Sequence, residues 1–362
     1  MQNLCCRRRL QSVFRPYLTD LLILMKSMRF LNTVFAVLLA MSCMSVNAEE
    51  VDYRPVINGT VRAKYEYEPQ ISAGRFEVRN ARMSITGKIL PVVGYKVEID
   101  LSDEGRIRML DAYCRLSARS FRGSLTAGQM RVPFTIDAHR SPHQQYFANR
   151  SFIAKQVGNV RDVGLTGMYG FGERVPITLE AGIFNGSGLT DQKNFWTKRY
   201  NFSVKATAVV DNVTVVAGCQ RISPDSVGIM MWDIGAFYDD TKWHIEGEYL
   251  RKNYSGKFSS VNAVDAFVAR RFPLKRIFSG ISALGRYDYM SDHSDGVRDD
   301  SGNLVINDHG RHRMTLGATL HWGSRSMYAD LRINYEQYFY KPGITSGISD
   351  RNKIVIELMC RF

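Results

Sequence analysis

Cysteine is scarce in this chain, and so are the signatures of catalysis. There are 6 cysteines in 362 residues, and three of them, Cys5, Cys6 and Cys43, sit in the first 48 positions. Cys114, Cys219 and Cys360 remain, an odd and dispersed set that excludes a disulfide framework and a paired-cysteine metal site. The sequence has no Gly-x-Ser-x-Gly elbow, no His-Glu-x-x-His and no glycine-rich phosphate loop with its lysine, which removes the enzyme classes those motifs mark. His139 and His143 have ligand spacing only on a helix, and Pro142 between them forbids one. Asp288, Asp292, Asp295, Asp299, Asp300 and Asp308 crowd one stretch without the spacing of a calcium loop, so they read as a solvated surface loop. No metal, cofactor or enzymatic activity is expected.

The first 48 residues read as targeting rather than structure. Lys26 and Arg29 flank an apolar core from Phe30 to Ala40, followed by Val46-Asn47-Ala48, a small-residue cleavage pattern ahead of Glu49. That core is well short of the roughly 20 residues of a spanning helix. Cleavage is expected after Ala48, with Met28 the true start and residues 1–27 an upstream extension. A lipid anchor on Cys43 is the competing reading, but Ala40-Met41-Ser42 lacks the usual branched residue three places before it. Residues 49–362 then form the functional domain. Processing lowers the formal charge from +13 by five, to +8. Few of these charges cluster in runs, which makes nucleic acid an improbable partner for an exported chain.

What the chain does have, from Val56 onward, is one repeated theme. About ten residues alternate apolar and polar, a turn follows, and the alternation resumes, with no helical period between. In the last such segment Ile354, Ile356, Leu358, Cys360 and Phe362 share one face, against Val355, Glu357, Met359 and Arg361. Ala329, Leu331, Ile333 and Tyr335 likewise oppose Asp330, Arg332, Asn334 and Glu336. One face suits lipid and the other water. Sixteen segments are expected, starting near Val56, Phe76, Tyr95, Met109, Ser124, Asp162, Ile177, Lys198, Asn212, Ile229, Lys242, Ala263, Phe278, Arg311, Ser326 and Asn352, with the twelfth the weakest.

Tight turns follow the even segments and longer stretches follow the odd ones, the longest from Arg131 to Arg161. Tyr65, Tyr67, Trp243, Tyr287, Tyr289, Trp322 and Tyr335 fall near segment ends, as interfacial aromatics do. A soluble β-sandwich would also alternate, but sixteen open strands leave edges that only closure removes. The fold class expected is all-β: a transmembrane antiparallel barrel of 16 strands in a bacterial outer membrane, with short periplasmic turns and long extracellular loops.

The stretch Arg79-Asn80-Ala81-Arg82-Met83-Ser84-Ile85-Thr86-Gly87-Lys88, with Tyr95-Lys96-Val97-Glu98-Ile99-Asp100 and Asp111-Ala112-Tyr113, resembles the phosphate-selective porin O and P family. Gly128-Gln129-Met130-Arg131-Val132-Pro133-Phe134 is similar to its Gly-Gln-x-Lys-x-Pro-Phe segment, and Arg161-Asp162-Val163-Gly164 and Phe184-Asn185-Gly186 follow in order. The likeness covers most of residues 56–362 and is strongest between 75 and 190. It implies a sixteen-stranded, trimeric channel whose third long loop folds inward as a cationic constriction. The family's dense lysine cluster is not found here, and Arg131 stands where its motif often has lysine.

The Arg131–Arg161 stretch carries Arg131, Arg140, Arg150, Lys155 and Arg161 against Asp137 alone, and these five are the expected constriction residues. In a narrow pore such charges are weakly screened and set ion selectivity. The competing reading pairs them with wall carboxylates such as Glu98, Asp100 and Asp111. Arg62, Lys64, Arg82, Lys96 and Arg115 are expected on the lumen wall, interleaved with Glu66, Glu98, Glu180, Glu246 and Glu248. The function these features favour is passive diffusion of small, phosphate-like anions. A non-conducting barrel serving as an anchor or surface-binding protein is the alternative. The expected partners are small anionic solutes, outer-membrane lipid, two further copies of the chain, and the outer-membrane insertion machinery, recruited through the terminal Phe362.

Overall fold

The computed structural model describes residues 51–118, 122–157, 160–190, 192–224, 227–256, 258–324, 326–344 and 346–362. The expected signal segment lies outside them. Sixteen strands form: β1 (Val56–Glu68), β2 (Ala73–Leu90), β3 (Val93–Asp103), β4 (Arg106–Ala118), β5 (Gly123–Arg131), β6 (Arg161–Phe171), β7 (Ile177–Phe184), β8 (Asn201–Val210), β9 (Val213–Ile222), β10 (Ile229–Asp239), β11 (Trp243–Tyr254), β12 (Val261–Pro273), β13 (Gly280–Met290), β14 (Arg311–Gly323), β15 (Tyr328–Tyr340) and β16 (Lys353–Arg361). Each pairs with its sequence neighbours, and β1 pairs antiparallel with β16, so the sheet closes into a barrel without an edge.

The alternation of the sequence becomes inside and outside. Along β16, Lys353, Val355, Glu357 and Met359 are buried within the barrel, while Ile354, Ile356 and Leu358 face out. β12, the weakest segment by sequence, runs 13 residues with the same alternation. An inner surface of ion pairs and an outer band of exposed aliphatic residues is the pattern that hydrocarbon demands of a barrel.

All the connections after even strands are short, as expected. Those after β5, β7, β13 and β15 are long, but those after β9 and β11, residues 223–228 and 255–260, are no longer than the connection after β12, and the first two are shorter still. β1 and β2 join through residues 69–72, and β3 and β4 through Glu104-Gly105 alone. Glu104 and Gly105 both have positive φ, at 44° and 87°, which suits a two-residue hairpin turn. The Glu68 carboxylate accepts from the backbone N–H of Gln70 and Ile71, each at 3.0 Å, and closes the other turn.

The longest connection, residues 132–160, folds into the barrel. It contains a 3-10 turn at Pro142–Gln144 and one short helix, α1 (Phe152–Val157). Phe134, Ala138, Phe152, Ile153 and Val157 are buried against the inward residues Met231, Leu250, Ala263 and Met290 of the wall. Two glycines make room for it. A Cβ on Gly218 would lie 3.1 Å from the Phe134 ring, and one on Gly235 would lie 2.8 Å from Ile136 Cδ1.

Candidate functional site

The inward loop is fixed from several sides of the barrel. On β11, Glu248 accepts from the backbone N–H of Ile136 and Asp137, and Glu246 pairs with Arg140. On β8, the Ser203 hydroxyl and the Lys205 ammonium donate to the carbonyls of Pro133 and Thr135 at 2.6 and 2.9 Å. Across the lumen, Arg62 on β1 donates to the Ala148 carbonyl and to Gln145 Oε1, both at 2.6 Å, while gripping Glu357. Arg286 and Arg313 on β13 and β14 donate to the carbonyls of Asn149 and Arg150 at 3.0 and 2.7 Å.

The loop divides the lumen. Toward the long-loop end lies a cavity of about 840 Å³ bordered by Arg62, Arg75, Arg79, Arg82, Arg108 and Arg150, with Glu77, Asp100, Asp103 and Glu104 among them. Toward the short-turn end lies one of about 970 Å³ under Arg140, His143 and Tyr146. A smaller space of about 320 Å³, which shares Gln144 with the second, is bordered by Lys96, Arg131, His139 and Glu180. Gln145 borders both large cavities, and Gln144 borders both of the inner ones, so the loop from Arg140 to Arg150 is their common partition.

The five cations expected in the constriction separate into two groups. Three are paired: Arg161 with Asp111 at 2.6 Å and Glu98 at 3.2 Å, Arg140 with Glu246, and Lys155 with Asp308 at 2.8 Å. Lys155 also borders a different cavity, under the loop between β13 and β14, so it stands away from the partition. Arg131 and Arg150 differ. Arg131 donates to the His139 carbonyl, and Arg150 to the carbonyls of Asp137 and Arg140. Carbonyl oxygens orient a guanidinium without neutralising it, so neither group is bonded to a carboxylate, and Arg150 borders the outer cavity while Arg131 borders the smallest of the three.

Electrostatics within the loop follow from burial and from this cation surplus. Burial, only partly offset by Asp137, together with Arg82, Arg79 and Arg161, brings the Arg150 guanidinium down to about 10, where it remains charged at neutral pH. Burial, then Lys205, Arg131 and Arg161, hold His139 well below its ordinary value. Burial and Arg361 take His143 down to about 4. Both histidines are therefore neutral at physiological pH, and arginine carries the loop's charge.

All five expected wall cations point inward, mostly into ion pairs. Arg62 holds Glu357, Lys64 holds Glu66, Arg82 holds Asp100 at 2.8 Å, and Lys96 bridges Glu98 and Asp111, each at 2.7 Å. Arg115 instead donates to the Thr126 hydroxyl at 3.0 Å. The sequence reading left out Arg75, Arg79 and Arg108 in the outer cavity, and Arg286 and Arg313, which hold the loop. The last two could have been found, because the alternation that turns Tyr287 outward turns Arg286 inward.

A closed, edge-free barrel with lipid-suited walls, charged lumen and inward-folded third loop defines a bacterial outer-membrane porin. The family model of phosphate-selective porin O and P matches residues 58–233. No curated protein sequence matches it. Among solved structures it is similar to an anion-selective porin from Comamonas acidovorans, at TM-score 0.58 and 10% identity over 85% of this chain and 98% of that one. It is also similar to the outer membrane channel DcaP of Acinetobacter baumannii, at TM-score 0.55 and 11% identity over 88% and 99%. A third is OmpT of Vibrio cholerae in its trimer form, at TM-score 0.56 and 12% identity over 85% and 98%. At such identities the likeness is one of fold. The protein is an outer-membrane channel, its long loops extracellular and its short turns periplasmic.

Proposed function

We propose that the channel passes small anionic solutes, phosphate-like ones among them, and that Arg131 and Arg150 set this preference. The observation that carries the reading is that these two guanidinium groups bond backbone carbonyls rather than carboxylates. Arg82, with a buried Nη1 that makes no hydrogen bond, stands within electrostatic reach of both. A guanidinium offers paired donors that match phosphate and carboxylate oxygens. The outer cavity, with six arginines at its border, would gather such anions before the constriction. Carboxylates beside them keep the preference modest. Reversal potentials across a planar bilayer in asymmetric KCl, repeated with phosphate, test the reading, and a cation-preferring wild-type channel overturns it.

We further propose that the mature chain starts at Glu49, that Phe362 is read by the insertion machinery, and that the channel works as a trimer, like the Vibrio cholerae neighbour. N-terminal sequencing of the membrane form and its size in mild detergent test the first and last of these.

A further inference from the structure

The outer wall is not uniform. Between β8 and β11 it carries an apolar groove of about 420 Å³, bordered by Val204, Ala206, Ala217, Trp232, Ile234 and Tyr249. The registry explains the hollow. Val204, Cys219 and Trp232 lie side by side, and in the next row toward the periplasm Ala206 and Ala217 adjoin Ile234 and Tyr249. One row lower, Ala208, Val215, Ala236 and Gly247 continue as small side chains. Trp232 and Ile234, 52% and 56% exposed, stand as a ridge along this trough.

At its extracellular end the groove meets two outward-facing arginines. Arg251 pairs in register with Trp232, and Arg221 pairs with Met230, one row above. Both are exposed, and among the described residues neither makes an ion pair; Arg251 Nε donates to Asn253 Oδ1 at 3.3 Å. An arginine on the lipid face of a barrel is costly unless it meets anionic headgroups at the interface. The trough from the Arg251 row to the Gly247 row spans four residues, about 14 Å of strand, a length suited to an acyl chain.

We propose that this face is a binding site for a phosphorylated, acylated lipid of the extracellular leaflet. Arg221 and Arg251 hold its phosphates, and one acyl chain lies in the trough beside Trp232. The side chains needed for each part of such a lipid are present in the order in which its parts enter the membrane: charge at the rim, an aromatic below it, then small aliphatic residues.

Native mass spectrometry of the full mature protein, delipidated in detergent and then mixed with a diphosphorylated, hexa-acylated glucosamine disaccharide, tests the assignment. Dephosphorylated disaccharide and phosphatidylcholine are the comparison arms. The diphosphorylated lipid should be retained, and the other two largely lost. An interfacial basic residue strengthens anionic-lipid binding about fivefold, so Arg221→Gln with Arg251→Gln should weaken retention about 25-fold. Ala217→Phe should weaken it by filling the trough while leaving both charges in place. Heat-modifiable mobility and unchanged conductance show that each variant is a folded channel. Equal retention of all three lipids, or full retention by the double arginine variant, overturns the proposal. So does loss of the oligomer in place of lipid, which would make a second copy of the chain the occupant.

Discussion

The Arg150 guanidinium donates to the backbone carbonyl of Asp137, while the Asp137 carboxylate accepts from the backbone N–H and hydroxyl of Ser151 at 3.1 and 2.8 Å. Two opposite charges thus sit side by side, and the acid's closest bonds are spent on Ser151, the residue just before α1. Arg140 and Arg286 act on Asp137 as well and, against the cost of burial, hold its carboxyl below the ordinary range. Asp137 is structural, then, and Arg150 keeps its charge for the lumen.

Packing beneath the loop gives the first prediction. A side chain at Gly235 would collide with Ile136 Cδ1 at 2.8 Å and with the Gly247 carbonyl at 2.9 Å. Gly235→Val should push the loop off the wall, at a cost of about 1–3 kcal/mol. Single-channel conductance should rise and the unfolding temperature fall. A stable variant of unaltered conductance would show that the loop does not depend on this contact.

The barrel was legible in the sequence because its signal is local. A period of two over ten residues gives each strand, and the observed starts differ from the expected ones by three residues or fewer. The expectation of long loops after β1 and β3 failed on local chemistry too. The positive-φ pair Glu104-Gly105 and the Glu68 carboxylate turn the chain at once, and neither has the usual Asn-Gly form. The pairing of the loop was not legible. Arg140 meets Glu246 across 106 positions, and Ile136 meets Glu248 across 112, so each cation's partner depends on where the loop lies in space. That is why five equivalent cations in the sequence became two free and three paired.

Closure at the C-terminus carries a second prediction. The backbone N–H of Gly59 donates to the Phe362 carbonyl at 2.6 Å, and that of Phe362 returns to the Gly59 carbonyl at 3.1 Å. The Phe362 ring covers Gly59 so closely that a Cβ there would sit 2.1 Å from its Cζ. Deleting Phe362 removes both the seam contact and the aromatic terminus, so the amount of heat-modifiable protein in the membrane should fall. Gly59→Leu displaces only the ring, and should lower thermal stability while the protein still inserts. Equal losses in both variants would mean that closure, not recognition of the terminus, is what fails.

Acid should loosen the loop through His143. Arg361 Nη1 lies 2.8 Å from His143 Nδ1, which suits only a neutral ring, and Arg131, Lys96 and Arg332 also act on it. With its value lowered from about 6.5 to about 4, the folded state resists protonation that the unfolded chain accepts. His143 therefore contributes stability that is present above pH 6.5 and is lost as pH falls toward 4. Thermal unfolding followed from pH 7 to 4 should show a decline that His143→Gln reduces. An identical decline in the variant would assign the acid sensitivity to other groups.

Selectivity separates the free cations from the paired ones. A charge about 6 Å from the ion path, at an effective dielectric near 20, contributes about 2–3 kcal/mol before ionic screening. Arg131→Gln with Arg150→Gln should therefore lower the anion-over-cation permeability ratio at least about fivefold in dilute electrolyte. The effect should shrink at 1 M salt, where the Debye length falls to about 3 Å. Lys155→Gln is the control: it removes a positive charge of the same loop, but one already held by Asp308 and turned toward another cavity. Its reversal potential should stay near the wild-type value. Both histidines are neutral through the physiological range, so neither adds positive charge to the wild-type channel there. If the double variant keeps the wild-type potential, or if Lys155→Gln shifts it equally, selectivity arises from the summed charge of the loop and not from the two unpaired guanidinium groups.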